Sequence, residues 1–130
     1  MVNKKQTTAG KSLAVQAAHY IREHSEQKFS LSAIAGMLYV NSNYLARVFK
    51  HETGHTLLWY HNAIRCENAK KLLSETNLSV AEIGSAVGYI SAAHFSHQFK
   101  KMTGISPSGW RINAHKQKAT ENPIDFGQLT

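Results

Sequence analysis

The sequence is poor in cysteine and in long apolar runs, and each shortage excludes a class of protein. Because Cys66 is the only cysteine, no intramolecular disulfide can form, and a cytosolic setting is the simplest expectation. No apolar run approaches the roughly 18 residues that a membrane-spanning helix needs. The N-terminal segment MVNKKQTTAGKS lacks the apolar core of a secretory signal. The 130 residues are enough for one domain or for two very small ones.

Acidic residues are also scarce. The chain has 15 lysines and arginines against 8 aspartates and glutamates, which gives a net charge of +7. An excess of this size favours a polyanionic partner, with nucleic acid ahead of an anionic membrane. Charge alone does not separate specific binding from a basic surface without a dedicated use, and it identifies no base sequence.

The stretch HETGHTLLWYH at residues 51–61 fits the pattern of a zinc protease, H-E-x-x-H with a third histidine further on. Such a site needs an unbroken helix through both histidines of the short pattern and a chain reversal before the third. Leu58 stands where the reversal requires glycine. Because the rest of the pattern matches, a zinc hydrolase remains one hypothesis. The residues of that site would be His51, Glu52, His55 and His61.

The chain contains an internal repeat, with a spacing of about 50 residues, that argues against the zinc hypothesis. LARVFKHETG at 45–54 aligns with FSHQFKKMTG at 95–104, and upstream the offset falls by one within a turn that holds Gly88. Both segments end in Thr-Gly, so Gly54 and Gly104 are expected to end helices in the left-handed conformation. A helix that ends there leaves the second histidine of the zinc pattern beyond the helix. The second copy replaces the four candidate ligands by Lys101, Met102, Ile105 and Arg111.

Each copy predicts a short helix, a turn of three or four residues and a longer helix, which is the helix-turn-helix arrangement. The longer helices are expected at about 42–53 and 92–103. A linker helix of about 20 residues should lie between the copies, and its length of about 30 Å is close to one turn of B-DNA. The sequence thus predicts an all-α fold of about seven helices, in which a long linker helix joins two helix-turn-helix subdomains. The expected boundaries are a polar tail at 1–11, subdomains at 12–55 and 77–114, the linker at 56–76 and a polar tail at 115–130.

Three stretches together resemble the DNA-binding domain of the AraC/XylS family of bacterial transcription regulators. They are SLSAIAGMLYVNSNYLARVFKHETG, SVAEIGSAVGYISAAHFSHQFKKMTGISPSGWR and the linker motif R-x-x-x-A-x-x-L-L. The resemblance covers about residues 12–114 and implies seven helices, sequence-specific DNA binding and control of transcription, more often activation than repression. The chain departs from the family pattern where Leu57 replaces a common proline, where His61 replaces an apolar residue and where His97 replaces a frequent arginine. The linker motif consists of Arg65, Ala69, Leu72 and Leu73.

The expected DNA contacts lie opposite the inward-facing Leu45, Val48 and Phe49, at positions that face bases in the family. Arg47 has the planar donor fork that suits guanine O6 and N7, and Asn43 suits an adenine. The second unit offers fewer hydrogen-bonding groups, so we expect the first unit to hold most of the specificity. The residues expected to contact bases are Asn43, Ala46, Arg47, Ala93, Ser96 and His97. The residues expected to contact the DNA backbone, or to lie at a helix start, are Asn41, Ser42, Tyr44, Lys50, Lys100, Lys101 and Arg111.

The leading expectation is a cytoplasmic, nucleoid-associated transcription regulator that binds double-stranded DNA and contacts RNA polymerase, without enzyme activity, cofactor, metal or membrane partner. One alternative is a protein-interaction module whose exposed faces bind RNA polymerase or another regulator. A remote alternative is the zinc hydrolase. Family members often carry a separate sensing or dimerising domain, and the chain fits either a stand-alone regulator or the C-terminal part of a longer one.

Overall fold

The computed structural model describes the backbone of residues 2–121 and the side chains of residues 9–117. In this part of the chain all regular structure is helical, which confirms the predicted fold class. The seven helices of the described part are α1 (Val2–Glu23), α2 (Leu31–Met37), α3 (Ser42–Thr53), α4 (Leu57–Glu75), α5 (Val80–Val87), α6 (Ala92–Thr103) and α7 (Pro107–Glu121). None of the helices in the described part is long and apolar enough to cross a membrane.

The helices belong to two compact units, a first unit of Met1–Arg65 and a second unit of Cys66–Thr130. The division falls inside α4. Each unit contains one of the two repeat copies and has its own buried apolar cluster.

The core of the first unit forms where α1 packs across α2 and α3. Ile21, Leu45 and Phe49 are almost fully buried, as the helical spacing of apolar residues predicts. Arg65 of α4 is also buried and donates hydrogen bonds of 2.7 Å to the carbonyl oxygens of Ser25 and Gln27. The guanidinium thus binds carbonyl groups of the segment that joins α1 to α2.

The core of the second unit is richer in aromatic side chains. Phe95 and Phe99 of α6 are buried, and their rings lie 5.8 Å apart in an edge-to-face arrangement. The ring of Trp110 packs against Phe99 at 6.0 Å, so α7 contacts the core of the second unit through this residue. Lys70 lies 4.8 Å from the centre of the Trp110 ring, so its charge covers the outer face of the indole.

Local capping sets the ends of the recognition-type helices. The Asn41 side chain accepts hydrogen bonds from two backbone N–H groups at the start of α3, and the Ser91 side chain accepts one at the start of α6. Gly54 and Gly104 end the two helices with φ of 82° and 89°. Both glycines therefore adopt the predicted left-handed conformation. Each N-cap contributes about 1 kcal/mol to helix stability.

Two helices extend beyond their expected ends. α1 begins at Val2 rather than near residue 12, and α7 continues to Glu121 rather than ending near 114. Polar composition suggested tails, but the backbone of Gly10 approaches α3 so closely that an added Cβ would lie 3.0 Å from Oε1 of Glu52. At Gly10, α1 therefore packs against α3. Residues 122–130 of the expected C-terminal tail lie outside the described part.

Candidate nucleic-acid interface

The exposed face of α3 carries the predicted first-unit contacts. Asn43, Arg47 and Lys50 are exposed, and Ala46 between them is partly exposed, while Leu45 turns into the core. The spacing follows from the helix itself, since residues three and four apart share a face. The face therefore presents an amide, a guanidinium and an ammonium group along one line.

The exposed face of α6 repeats this pattern fifty residues later. Ala93, His97 and Lys100 are exposed and Ser96 is partly exposed. Each has the same exposure class as the first-unit residue fifty positions earlier. Phe95 occupies the buried position that Leu45 holds in α3. The chain thus carries two equivalent helical surfaces with different side chains.

The Tyr44 ring lies beside the guanidinium of Arg47, a contact that the sequence did not reveal. The Arg47 Cζ atom is 5.8 Å from the centre of the ring, within the range of a cation–π contact. Tyr44 is 43% exposed, so the ring and the guanidinium share the solvent-facing side of α3. The spacing of the two residues on a helix was a signal for this contact.

Positive charge accompanies both helical faces at their C-terminal turns. Lys50 ends the exposed stripe of α3, and Lys100 and Lys101 lie at the corresponding place in α6. Among the described side chains, these three lysines form no ion pair with a carboxylate. Their ammonium groups are therefore available for phosphate, in addition to their favourable place near the negative end of each helix dipole.

Arg111, which the sequence places among the DNA-backbone contacts, has hydrogen-bond partners within the protein. Its guanidinium donates hydrogen bonds to the carbonyl oxygens of Leu73 (3.0 Å), Thr76 (3.3 Å) and Leu78 (2.6 Å), all within the second unit. The guanidinium thus binds the backbone at the end of α4 and just after it, as that of Arg65 binds the segment after α1. Arg111 therefore has a structural role, and its contact with phosphate stays a prediction.

Asn41 and Ser42 lie at the start of α3 as predicted. The Asn41 side-chain oxygen accepts hydrogen bonds from the N–H groups of Asn43 (2.8 Å) and Tyr44 (3.2 Å), so its amide already has a structural task. Ser42 is the first residue of α3 and is partly exposed.

The two turns before the candidate recognition helices differ by one residue, and the structure identifies it. Tyr39 and Gly88 occupy equivalent places, since both follow the short helix with positive φ, at 57° and 115°, and each donates a backbone hydrogen bond to the residue three places earlier. Val40 and Tyr89 are the next pair, since each donates a backbone hydrogen bond to the residue five places earlier, at 3.0 and 2.9 Å. The additional residue is therefore Ile90, two residues after the turn glycine that the repeat indicated.

The stretch at 51–61 does not assemble a metal site in the structure. α3 ends before His55, whose ring stacks on Trp59 with a centroid distance of 3.7 Å. His61 is instead buried in α4, where its ring lies 5.5 Å from Phe29. Within the described residues, no three metal-binding side chains come together. The helix end at Gly54, expected from the repeat, accounts for this separation.

The environment of His61 determines its charge. Burial, together with the positive charge of Arg65, lowers the pKa of His61 to about 4. Its Nε2 atom is buried and has no hydrogen-bond partner among the described residues. The imidazole is therefore neutral near pH 7.

These features define a tandem helix-turn-helix protein of the DNA-binding class. A family model described as a helix-turn-helix domain matches residues 34–113. The C-terminal domain of AraT, a response regulator from Geobacillus stearothermophilus, superposes with a TM-score of 0.75 at 36% identity, over 78% of this chain and 84% of that one. The chain belongs to the AraC/XylS family of transcription regulators, as its motifs predicted.

One further relative supports the same placement, and one further solved structure has the same fold. The arabinose operon regulatory protein of Escherichia coli is 31% identical over 103 residues, which are 78% of this chain and 35% of that protein. The DNA-binding domain of AdpA, solved with a target DNA, has the same fold, with a TM-score of 0.75 and 23% identity over 82% of this chain and 96% of that one. The chain spans 14% to 36% of the length of the first curated relatives that it matches.

Proposed function

We propose that the chain binds double-stranded DNA sequence-specifically, with α3 and α6 as recognition helices in successive major grooves. The observation that carries this proposal is the repetition of one exposed helical face in α3 and α6, each behind a capped turn. A helix-turn-helix dimer uses two such helices one DNA turn apart, and here one chain carries both. The 19 residues of α4 would span about 28 Å, a length suited to that arrangement.

Base recognition is proposed to rest mainly on the first unit. Arg47 would contact guanine O6 and N7 through two hydrogen bonds, and Asn43 would contact an adenine, while Ala46 touches only a thymine methyl. The α6 face contributes Ala93, Ser96 and His97, which offer fewer hydrogen-bonding groups. Phosphate contacts from Lys50, Lys100 and Lys101 would fix the position of both helices without selecting bases.

The proposed role is the regulation of transcription in the bacterial cytoplasm, at the nucleoid, by activation rather than repression. Activation is the commoner mode in the family and implies contact with RNA polymerase. Several longer relatives are named as operon or transcriptional regulators, which supports the same role for the domain they share with this chain. In a longer protein, a further domain would supply sensing or dimerisation.

Selection from a randomised duplex pool, at roughly physiological salt, tests this function. Sequencing of the bound fraction should give an asymmetric motif in two blocks about 10 bp apart, centre to centre. The same selection with Arg47→Ala should weaken one position of one block. Enrichment without a motif would mean that the charge supports only phosphate-driven binding. No enrichment would favour a protein-interaction module, for which a pull-down with RNA polymerase is the next measurement.

A further inference from the structure

Ile90 is the additional residue of the second turn, and its side chain is fully exposed, at 103% of its reference area. In the first unit, Val40 precedes the helix N-cap directly and packs against the core. In the second unit, Tyr89 makes the corresponding contact with the core. It is 7% exposed, and its ring lies 5.5 Å from the ring of Phe95. The second turn therefore inserts Ile90 between its core contact and its N-cap, Ser91. Folding of this unit does not use the isoleucine side chain.

The neighbours of Ile90 continue an exposed, largely apolar surface at the start of α6. Ser91 comes next, and its hydroxyl is occupied by the backbone N–H of His94 at 3.1 Å. Ala92 and Ala93 follow, and both are exposed. The N-terminal end of a recognition helix is the part that contacts base edges in the major groove. The apolar group that bases present there is the C5-methyl of thymine.

We infer that Ile90 contacts the methyl group of a thymine and so selects that base at the edge of the block bound by α6. This inference rests on the proposed function, because it requires α6 in a major groove. An isoleucine side chain forms no hydrogen bonds, but it removes a methyl group from water and leaves the polar edge of a competing cytosine uncompensated. The assignment adds a specificity-determining residue that lies before the recognition helix rather than on it.

Replacement of thymine by uracil tests the contact, because the two bases differ by this methyl group alone. The tightest duplex recovered by selection is resynthesised with each thymine of the second block changed to uracil in turn. Its dissociation constant for the full chain is measured by fluorescence anisotropy. We expect one position at which uracil weakens binding about fourfold, the effect of one buried methyl group. Ile90→Ala should bind both duplexes equally, and Ile90→Val should keep the preference.

Ile112 provides the matched control, since it is an isoleucine of the same unit that is 55% exposed and lies on α7. Ile112→Ala should keep the thymine preference. A second block that is insensitive to uracil would overturn this inference alone. A preference that persists in Ile90→Ala would also overturn it and would assign the methyl contact to another residue, such as Ala93. A selection without any motif would overturn the proposed function and this inference together.

Discussion

Gly84 lies directly against Phe95, so that a Cβ atom at position 84 would be 3.0 Å from both Cβ and Cδ2 of the phenylalanine. The equivalent pair in the first unit is Ala35 and Leu45, which are both buried. One repeat copy thus combines a smaller residue on its short helix with a larger one on its recognition helix. In the first unit the short helix has the larger residue of the two copies, alanine, and α3 has the smaller one, leucine.

We expect Gly84→Ala to destabilise the second unit by about 1–3 kcal/mol, the usual cost of overpacking. Phe95→Leu should restore part of the loss in the double variant, since it recreates the pair found in the first unit. Urea denaturation followed by circular dichroism measures the free energy of unfolding of the unchanged protein, of each single variant and of the double variant. Gly36→Ala is the control, because an added Cβ there meets no atom within 4 Å. That change should stabilise α2 by up to about 1 kcal/mol. Independent, additive effects of the two core changes would contradict the pairing.

Tyr39 is expected to store backbone strain, because it has a φ of 57° where the second unit has glycine. The left-handed conformation costs a non-glycine residue about 1–2 kcal/mol. Its ring is 95% exposed, so little packing is lost when the side chain is removed. Tyr39→Gly should therefore be more stable than Tyr39→Ala by about 1 kcal/mol in thermal denaturation. Equal stability of the two variants would show that the turn has no such strain.

The ends of the recognition helices were predicted from the sequence because their signals are local. The expected ranges 42–53 and 92–103 are confirmed by Ser42–Thr53 and Ala92–Thr103. Gly54 and Gly104 were identified as helix ends because each follows a threonine at the end of its repeat copy.

The features that the sequence did not reveal depend on contacts between distant parts of a unit. The hydrogen bonds of Arg111 to the carbonyl groups of residues 73, 76 and 78 are one example. The packing of Gly10 in α1 against α3 is another. The repeat alignment placed its one-residue gap at Gly88, two residues before the residue that is actually additional, Ile90. The sequence therefore predicted the insertion nearly at the right position, but not the exposure of the Ile90 side chain.

Acid is expected to destabilise the first unit through His61. Its pKa is lowered to about 4 in the folded chain, so the unfolded chain binds a proton more readily. Stability from this residue is therefore present above about pH 6.5 and is lost as the pH falls toward 4, by at most about 3 kcal/mol. Denaturation of the protein and of His61→Leu across this range measures the difference. Parallel pH profiles would exclude His61 as the cause, since the other titrating groups are common to both.

Arg111 should control the stability of the second unit, whereas Lys100 should control the salt dependence of DNA binding. Arg111→Ala is expected to destabilise the second unit by about 1–3 kcal/mol, because it removes the donor to three carbonyl groups, two of them in partly buried hydrogen bonds. Lys100→Ala should leave stability nearly unchanged and reduce the slope of log affinity against log salt by about 1, the effect of one lost phosphate contact. Melting curves and anisotropy titrations at several salt concentrations give both quantities. A reduced salt slope in Arg111→Ala, with normal stability, would restore it as a phosphate contact.

Arg47 and His97 hold equivalent places on the two recognition helices, so their alanine variants compare the specificity of the two units directly. Arg47→Ala should cost about 1–3 kcal/mol of discrimination at one base pair, because a pair of hydrogen bonds to guanine is lost. His97→Ala should change base preference less, since one imidazole cannot replace a guanidinium fork. Selection and sequencing with each variant gives both losses. Tyr44→Ala would weaken the same base position as Arg47→Ala if the ring orients the guanidinium, and Tyr44→Phe would preserve it. A larger relaxation in His97→Ala than in Arg47→Ala would place the main specificity in the second unit.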